Sequence, residues 1–367
     1  MGYYMKIGIY TFFSSNYGAA LQAYSLQSFI RAKCPNSEVS LIDYVRDNRD
    51  SLEKVFFKRS NNPIYNLVWQ FFVLFRYREF KQKVKNFSDF KAQIPFTNPM
   101  TDKNSVSKDA LRYDILITGS DQVFKPSNKY KDIYYLSFEK DKRKKIAYAP
   151  SFGVSEFSDE DKKYIKTALS DFDALSCRET DGSIFLSELL DREVPSVLDP
   201  VFLTPKSCWR ELEIKPGIED YVFVYCLKDL NKLLAVAKNK FQNKKIIVLA
   251  QNYLKPVSGC KQVFYPGPRE FLGLIDNAHA IVTDSFHGMA FSIIFNKDFN
   301  VVVTRQKAAS RIQTLLEKLD LNDKLIKDEN NIDLNIEQKK VKIYSENLNS
   351  LVKNSEAYLL NALYSTD

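Results

Sequence analysis

AIVTDSFHGMAFSIIF, residues 280–295, contains a β-branched run (Ala280 to Thr283), a polar junction, and an apolar helical stretch from Gly288 to Phe295. A short strand passing through a few polar residues into a helix is the repeating step of a parallel α/β sheet. The same step recurs on either side. Upstream, Lys6 to Thr11 (KIGIYT) predicts a first strand, and Gly18 to Ala32 a helix with Leu21, Leu26, Phe29 and Ile30 on its apolar face. Further strands are predicted at Val39 to Asp43, Asp114 to Thr118, Lys145 to Ala149, Ala174 to Cys177 and Pro195 to Leu198. Helices are predicted at Asp159 to Leu169 and Thr180 to Leu190.

Three prolines and a glycine, Pro200, Pro205, Pro216 and Gly217, punctuate the chain before the pattern restarts. Strands follow at Tyr221 to Cys226, Lys245 to Ala250 and Phe299 to Val303. Helices follow at Leu230 to Phe241, Pro268 to Asn277, Ser310 to Leu319 and Lys339 to Leu363. The expected architecture is α/β, with two Rossmann-like domains facing a central cleft. The expected division is 1–205 and 206–339, with a C-terminal helix (340–367) returning to the first domain.

Composition narrows the function. The chain has 367 residues, two histidines and five cysteines without a CxxC pair, so a multi-histidine metal centre or a zinc ribbon has no support. The scattered thiols fit a reducing compartment. The net charge of +8 suits anionic partners, but no helix-turn-helix, RRM or zinc-finger pattern points to nucleic acid. No secretory signal opens the sequence, and no apolar run is long enough to span a bilayer. A cytoplasmic protein is expected. Neither GxGxxG after the first strand nor GxxxxGK[ST] is present, which removes the usual dinucleotide and P-loop fingerprints.

In open α/β sheets, ligands bind beyond the carboxyl ends of the strands. In TDSFHG, Ser285 is placed as an N-cap, and His287 falls in the first helical turn, where free N–H groups and the dipole favour an anion. An imidazole there is a candidate general acid; the alternative is a locally packed histidine. His279, at the other end of the same strand, reads as structural. Thr118-Gly119-Ser120-Asp121-Gln122 offers Asp121 as a base or hydroxyl-orienting group, or else an Asx-type turn. Ser176-Cys177-Arg178-Glu179 offers Arg178 as an anion clamp, or else one partner of a surface pair with Glu179. The loop Ser14-Ser15-Asn16-Tyr17-Gly18 precedes a helix N-terminus. Arg305, Lys307 and Arg311 cluster after the Phe299 to Val303 strand, as a phosphate grip or as a solvated basic face.

Read together, KIGIYTFFSSNYGAALQAYSLQ, DILITGSDQVFKP, AYAPSFG, SCRETDG, VLDPVF and GPREFLGLIDNAHAIVTDSFHGMAFSIIFNKDF resemble the polysaccharide pyruvyl transferase family over about residues 6–320. The resemblance implies a GT-B-like fold. It also implies transfer of the enolpyruvyl group of phosphoenolpyruvate onto a sugar of a bacterial surface-polysaccharide precursor as a cyclic ketal, with release of phosphate. Phosphoenolpyruvate is then a co-substrate, with no cofactor and no metal expected. His287 matches the family's histidine and becomes the candidate acid. Asp121 is the candidate base, and Arg178 the grip on the donor. Arg311 and Arg305 compete for the family's later arginine; Arg311 is favoured because it opens a helix. Ser285 and Gly288 complete the donor side. Asn16, Tyr17, Gly18, Ser120, Gln122 and Phe124 are expected to face the acceptor, Phe124 standing where the family usually has tryptophan.

PIYNLVWQFFVLFRYREF, residues 63–80, is hydrophobic nearly all round between basic flanks. It reads either as a buried helix of the first domain or as an interfacial helix. The second reading would bring the protein to a lipid-diphosphate-linked acceptor on the inner face of the plasma membrane. A GT-B glycosyltransferase using a nucleotide sugar is the alternative activity, and a non-catalytic anion-binding scaffold a third.

Overall fold

A computed structural model describes residues 4–45, 54–56, 60–138, 143–250, 256–303, 309–326 and 345–365. Eleven strands among them build two sheets, and every pairing is parallel. The first sheet holds β1 (Lys6–Tyr10), β2 (Glu38–Leu41), β3 (Ile115–Gly119), β4 (Lys144–Tyr148) and β5 (Ala174–Leu175), in the order β2-β1-β3-β4-β5. The second holds β6 (Tyr221–Cys226), β7 (Lys245–Ala250), β8 (Lys261–Gln262), β9 (Ala280–Thr283), β10 (Asp298–Val302) and β11 (Leu325–Ile326), in the order β11-β10-β9-β6-β7-β8. Central strands such as β6 (YVFVYC) and β9 (AIVT) are buried at every position. That is why they read as unbroken apolar runs: helices cover both faces of a parallel sheet.

Strand order reverses between β1 and β3 in one sheet and between β6 and β9 in the other. At such a switch point neighbouring crossovers leave in opposite directions and open a crevice at the strands' carboxyl ends. The segments departing there are Ser14–Gly18 and Ser120–Gln122 from the first sheet, and Asp284–Gly288 from the second.

The Tyr17–Lys33 helix joins the two halves. Asn16 caps it, its side chain accepting from the Ala19 N–H at 3.3 Å, and small residues at 18, 19, 20 and 23 let neighbours approach closely. Tyr17 is fully buried. Its ring stacks on Phe271 with centroids 4.7 Å apart, and its hydroxyl donates to the Pro266 carbonyl at 3.0 Å. One apolar cluster runs without a break from Ile7 and Ile117 under the first sheet to Phe223, Ile281 and Phe299 under the second.

The proline-punctuated stretch is packed rather than loose. Ser25 bonds the Pro200 carbonyl and the Thr204 hydroxyl, and Trp209 Nε1 donates to the Val201 carbonyl at 3.1 Å. The strand expected at Pro195 to Leu198 is reduced to a single bridge, Cys177 to Ser196. Pro195 has no N–H to donate, and Asp199-Pro200 turns the chain into a short 3₁₀ segment (Pro200–Phe202). The Ser345–Tyr364 helix lies on the first sheet, where Tyr358 donates to the Ala147 carbonyl at 3.0 Å and Ser355 accepts from the Leu198 N–H at 2.9 Å.

Close approach also dictates a glycine in the Pro268–Asp276 helix: a Cβ on Gly273 would collide with the Ile214 carbonyl. Overpacking of this kind costs about 1–3 kcal/mol, and each kcal/mol lowers Tm by about 2–4 °C in domains of 150–250 residues. Gly273→Ala should therefore melt several degrees below the parent protein in a calorimetric scan. An unchanged Tm would show that the Ile214 segment yields freely.

Candidate active site

At the end of β9, Thr283 Oγ1 donates to the Tyr225 carbonyl at 2.8 Å and accepts from the Ser285 N–H at 3.0 Å. Asp284 accepts the N–H groups of Leu227 and Lys228 at 2.7 and 2.8 Å, tying this junction to the loop after β6. Burial pushes the Asp284 carboxyl above its ordinary value, with those N–H groups opposing. Ser285 is the N-cap of the Phe286–Ile294 helix, and its Oγ accepts from the Gly288 N–H at 3.3 Å.

His287 is thereby fixed in the first turn of a wholly buried helix. Its ring lies against Gly18 of the opposite half, where a Cβ would overlap Nδ1. Gly18 is a contact glycine, chosen for what it leaves room for. On the other edge of the ring, Nε2 stands 3.5 Å from Asp199 Oδ2. That is ion-pair distance for a protonated imidazole and longer than an ordinary hydrogen bond.

Asp199 is where the two halves meet electrically. It caps the Pro200–Phe202 turn, Oδ1 accepting from the Val201 N–H at 3.1 Å. Oδ2 accepts from Arg178 Nη1 at 2.7 Å and from Ser120 Oγ at 2.9 Å. Its side chain is completely buried, and burial alone would favour the neutral acid. His287 and Arg178 outweigh that effect and hold the carboxyl well below the usual carboxylate range.

Arg178 is delivered by the segment after β5, its N–H bonded to the Pro150 carbonyl at 3.1 Å. Burial opposes its charge, but Glu179 and Asp199 prevail and raise its pKa. The Nε reaches Glu179 at 3.4 Å, and the guanidinium sits 4.7 Å from the centre of the Phe286 ring. The Arg178–Glu179 pair therefore exists, but buried rather than on the surface. Nη2 of Arg178 is buried with no hydrogen-bond partner.

Two consecutive residues after β3 carry positive φ, Ser120 at 37° and Asp121 at 60°. Each such non-glycine conformation costs on the order of 1–3 kcal/mol and persists only where neighbours over-determine it. Here the Ser120 N–H donates to the Tyr148 carbonyl at 2.9 Å, and the Ser151 N–H to the Asp121 carbonyl at 2.8 Å. The next residue, Gln122, reaches across the cleft. With its amide oxygen turned toward Arg311, it accepts from Nη1 at 2.8 Å and from Nη2 at 3.0 Å. Arg311, in the Ala309–Lys318 helix, has its pKa lowered by burial and by Arg178, with Glu179 and Asp121 opposing.

The fold thus gathers Gly18, Ser120, Asp121, Gln122, Arg178, Ser285, His287, Gly288 and Arg311 at one place. Asn16, two residues before Gly18, has its side chain engaged as a helix cap. Two expected acceptor contacts fall elsewhere. Tyr17 is a buried strut between the halves, and its hydroxyl is already taken by Pro266. Phe124 is fully buried, stacked on Tyr135 at 4.5 Å, because its 3₁₀ turn (Gln122–Phe124) points the ring into the first domain's core. Arg305 lies outside the described residues. Asp199 and Glu179 belong to the constellation although their sequence signals were faint. For Asp199 the signal was an acid closing an apolar run just before proline, in VLDP. Among the described residues no group of three or more His, Cys, Asp and Glu side chains could hold a metal ion.

Breaking a buried ion pair from one side costs about 3–5 kcal/mol. Asp199→Asn, which keeps the shape, should therefore lower stability to denaturant strongly by stranding Arg178. The sign with pH follows from the depressed carboxyl. Its contribution is complete above the unfolded value of about 3.9 and is lost as pH falls toward the lower folded value. The stability gap between parent and variant should accordingly shrink as pH is lowered from 6 to 3; a constant gap would refute the charge assignment.

No curated protein sequence matches the chain. Among solved structures, the UDP-GlcNAc 2-epimerase of Methanocaldococcus jannaschii in complex with UDP-GlcNAc and UDP is similar at TM-score 0.56 and 12% identity, covering 99% of this chain and 100% of that one. The S. aureus MnaA–UDP structure is similar at TM-score 0.51 and 10% identity, covering 98% and 96%. These likenesses show the fold: a GT-B-type pair of Rossmann-like domains. The sequence itself matches the Polysaccharide pyruvyl transferase family model over residues 16–304, and the chain therefore belongs to that family.

Proposed function

We propose that the protein moves the enolpyruvyl group of phosphoenolpyruvate onto a sugar of a surface-polysaccharide precursor, forming a cyclic ketal and releasing phosphate. Family membership supports a pyruvyl transfer to a sugar. The observation that carries the finer reading is His287, held in the first turn of a buried helix between Gly18 and the Asp199 carboxylate that Arg178 also engages. The precursor is taken to be lipid-diphosphate-linked, and the protein to work at the inner face of the plasma membrane.

In this reading His287 gives a proton to the methylene carbon, turning CH₂ into CH₃ and leaving an oxocarbenium-like centre at C2. One sugar hydroxyl adds there. The C2–O bond to phosphate then breaks, and a second hydroxyl closes the ring. Two hydroxyl protons are released in all; one replaces the proton delivered by His287 and one leaves with phosphate. Asp121, on its constrained turn, orients or deprotonates the acceptor.

Arg178 takes a changed role. With Asp199 and Glu179 on either side its charge is largely answered, so it positions Asp199 and lends Nη2 to the donor. Gripping the donor phosphate falls to Arg311, to Ser285 and Gly288 at the helix start, and to Arg305 in the adjoining basic run. The donor side is then residues 206–339. The acceptor side is residues 1–205, through Asn16, Gly18, Ser120 and Gln122, with the C-terminal helix packed behind.

The UDP in the neighbouring structures favours one competing reading, a nucleotide-sugar transferase on the same scaffold. Incubation with phosphoenolpyruvate and a panel of lipid-linked and free sugars separates the two. Phosphate release with a product mass gain of pyruvate less one water supports the proposal. A product that needs a nucleotide sugar and no phosphoenolpyruvate refutes it. His287→Gln should lower turnover by about 10²–10⁴-fold, the usual share of general acid catalysis, while phosphoenolpyruvate still binds in calorimetry. Arg311→Ala should chiefly raise the donor KM. Near-parental turnover in His287→Gln would remove the acid role.

A further inference from the structure

The Pro63–Phe75 helix is anchored by one face only. Asn62 caps it, accepting from the Ile64 and Tyr65 N–H groups at 2.9 and 3.1 Å, and Pro63 pre-sets its first turn. Trp69 and Val73 are buried, and Phe72 packs against Phe80 and Phe264 with ring centres 6.2 and 5.4 Å apart. The opposite face points into solvent. Ile64, Leu67, Val68, Phe71, Leu74 and Phe75 recur at helical spacing and form one stripe, its exposure reaching 86% at Phe75. Contiguous apolar exposure of this kind marks an interaction surface. Of the two readings of this segment, the fully buried helix does not hold, because its residues are apolar on both faces and only one face is covered.

Charge identifies the partner. By sequence, Lys54, Lys58 and Arg59 precede the helix, and Arg76, Arg78 and Lys81 follow it. From 54 to 85 the sole acid is Glu79, and it is engaged by Arg76 at 2.8 Å and by the Phe264 N–H at 3.2 Å. Arg78 and Lys81, in the first turns of the helix that follows (Tyr77–Lys91), are exposed. A second copy docking face to face would bring the same cations together. An anionic lipid surface suits both the apolar stripe and the cations that flank it in sequence. Thirteen residues make a helix of about 20 Å, well short of the roughly 30 Å hydrocarbon core, so it lies along a bilayer rather than through it. No helix of the described residues is long and apolar enough to cross a membrane.

We infer that the outward face of the Pro63–Phe75 helix docks the protein on an anionic membrane surface. The inner face of that helix touches Phe264, two residues before the Pro266 carbonyl that holds Tyr17. The docking face is therefore tied to the segment that carries Gly18 and meets His287. The inference stands apart from the chemistry proposed above.

Sedimentation with phosphatidylcholine vesicles, with and without phosphatidylglycerol, tests it. The parent protein should pellet with the anionic vesicles, and less so as salt rises. Leu67→Glu/Phe71→Glu, both at exposed positions, should weaken binding on the order of tenfold or more. Arg78→Glu/Lys81→Glu should weaken binding to anionic vesicles by about fivefold or more for each charge removed. Circular dichroism and phosphate release with a soluble acceptor should stay at parental values in the Leu67→Glu/Phe71→Glu variant, which separates docking from catalysis. Absence of lipid binding by the parent, or undiminished binding by that variant, overturns the inference. So does a lipid-free dimer of the parent that the variant dissolves, since the face would then belong to a second copy.

Discussion

A single carboxylate, Asp199, holds the candidate site together. Sealed from water, it would be neutral on its own; an arginine from the end of one strand and a histidine from the other half keep it charged. The dependence is mutual. Arg178 would keep only Glu179 as a partner, Ser120 would lose its own and with it part of the restraint on two strained residues, and the imidazole would lose its counter-charge. Three loops from two sheets thus share one charge. The candidate site and the seam between the halves are the same object.

Much of the architecture was legible because parallel strands covered on both faces must read as apolar runs, and YVFVYC and AIVT do. The position of His287 was legible for a related reason: a strand end, a serine cap and a helix start localise a side chain at the crevice whatever the distant chain does. The division of labour among polar residues was not. Asp199 and Glu179 gain meaning only from partners far along the chain, and a lone acid before proline looks like any turn.

The errors have causes of the same kind. Tyr17 adjoins Gly18 and shares its loop, yet successive residues at a helix start face different ways; one touches His287 while the other is pressed onto Phe271. Phe124 follows Gln122 by two residues, and the tight turn between them sends one side chain across the cleft and the other into the core. In the 63–75 helix, composition is apolar on both faces, so periodicity alone does not say which face has a neighbour. Only the placement of Phe80 and Phe264 decides it.

The unbroken apolar cluster beneath both sheets bears on how this protein works in time. Domains that swing apart do so across a wet, polar boundary, whereas a large hydrophobic boundary resists such motion. Here Tyr17 is bolted to Pro266, and beneath the polar site apolar packing continues from Ile7 to Phe299. Swinging the halves apart would expose that core to water.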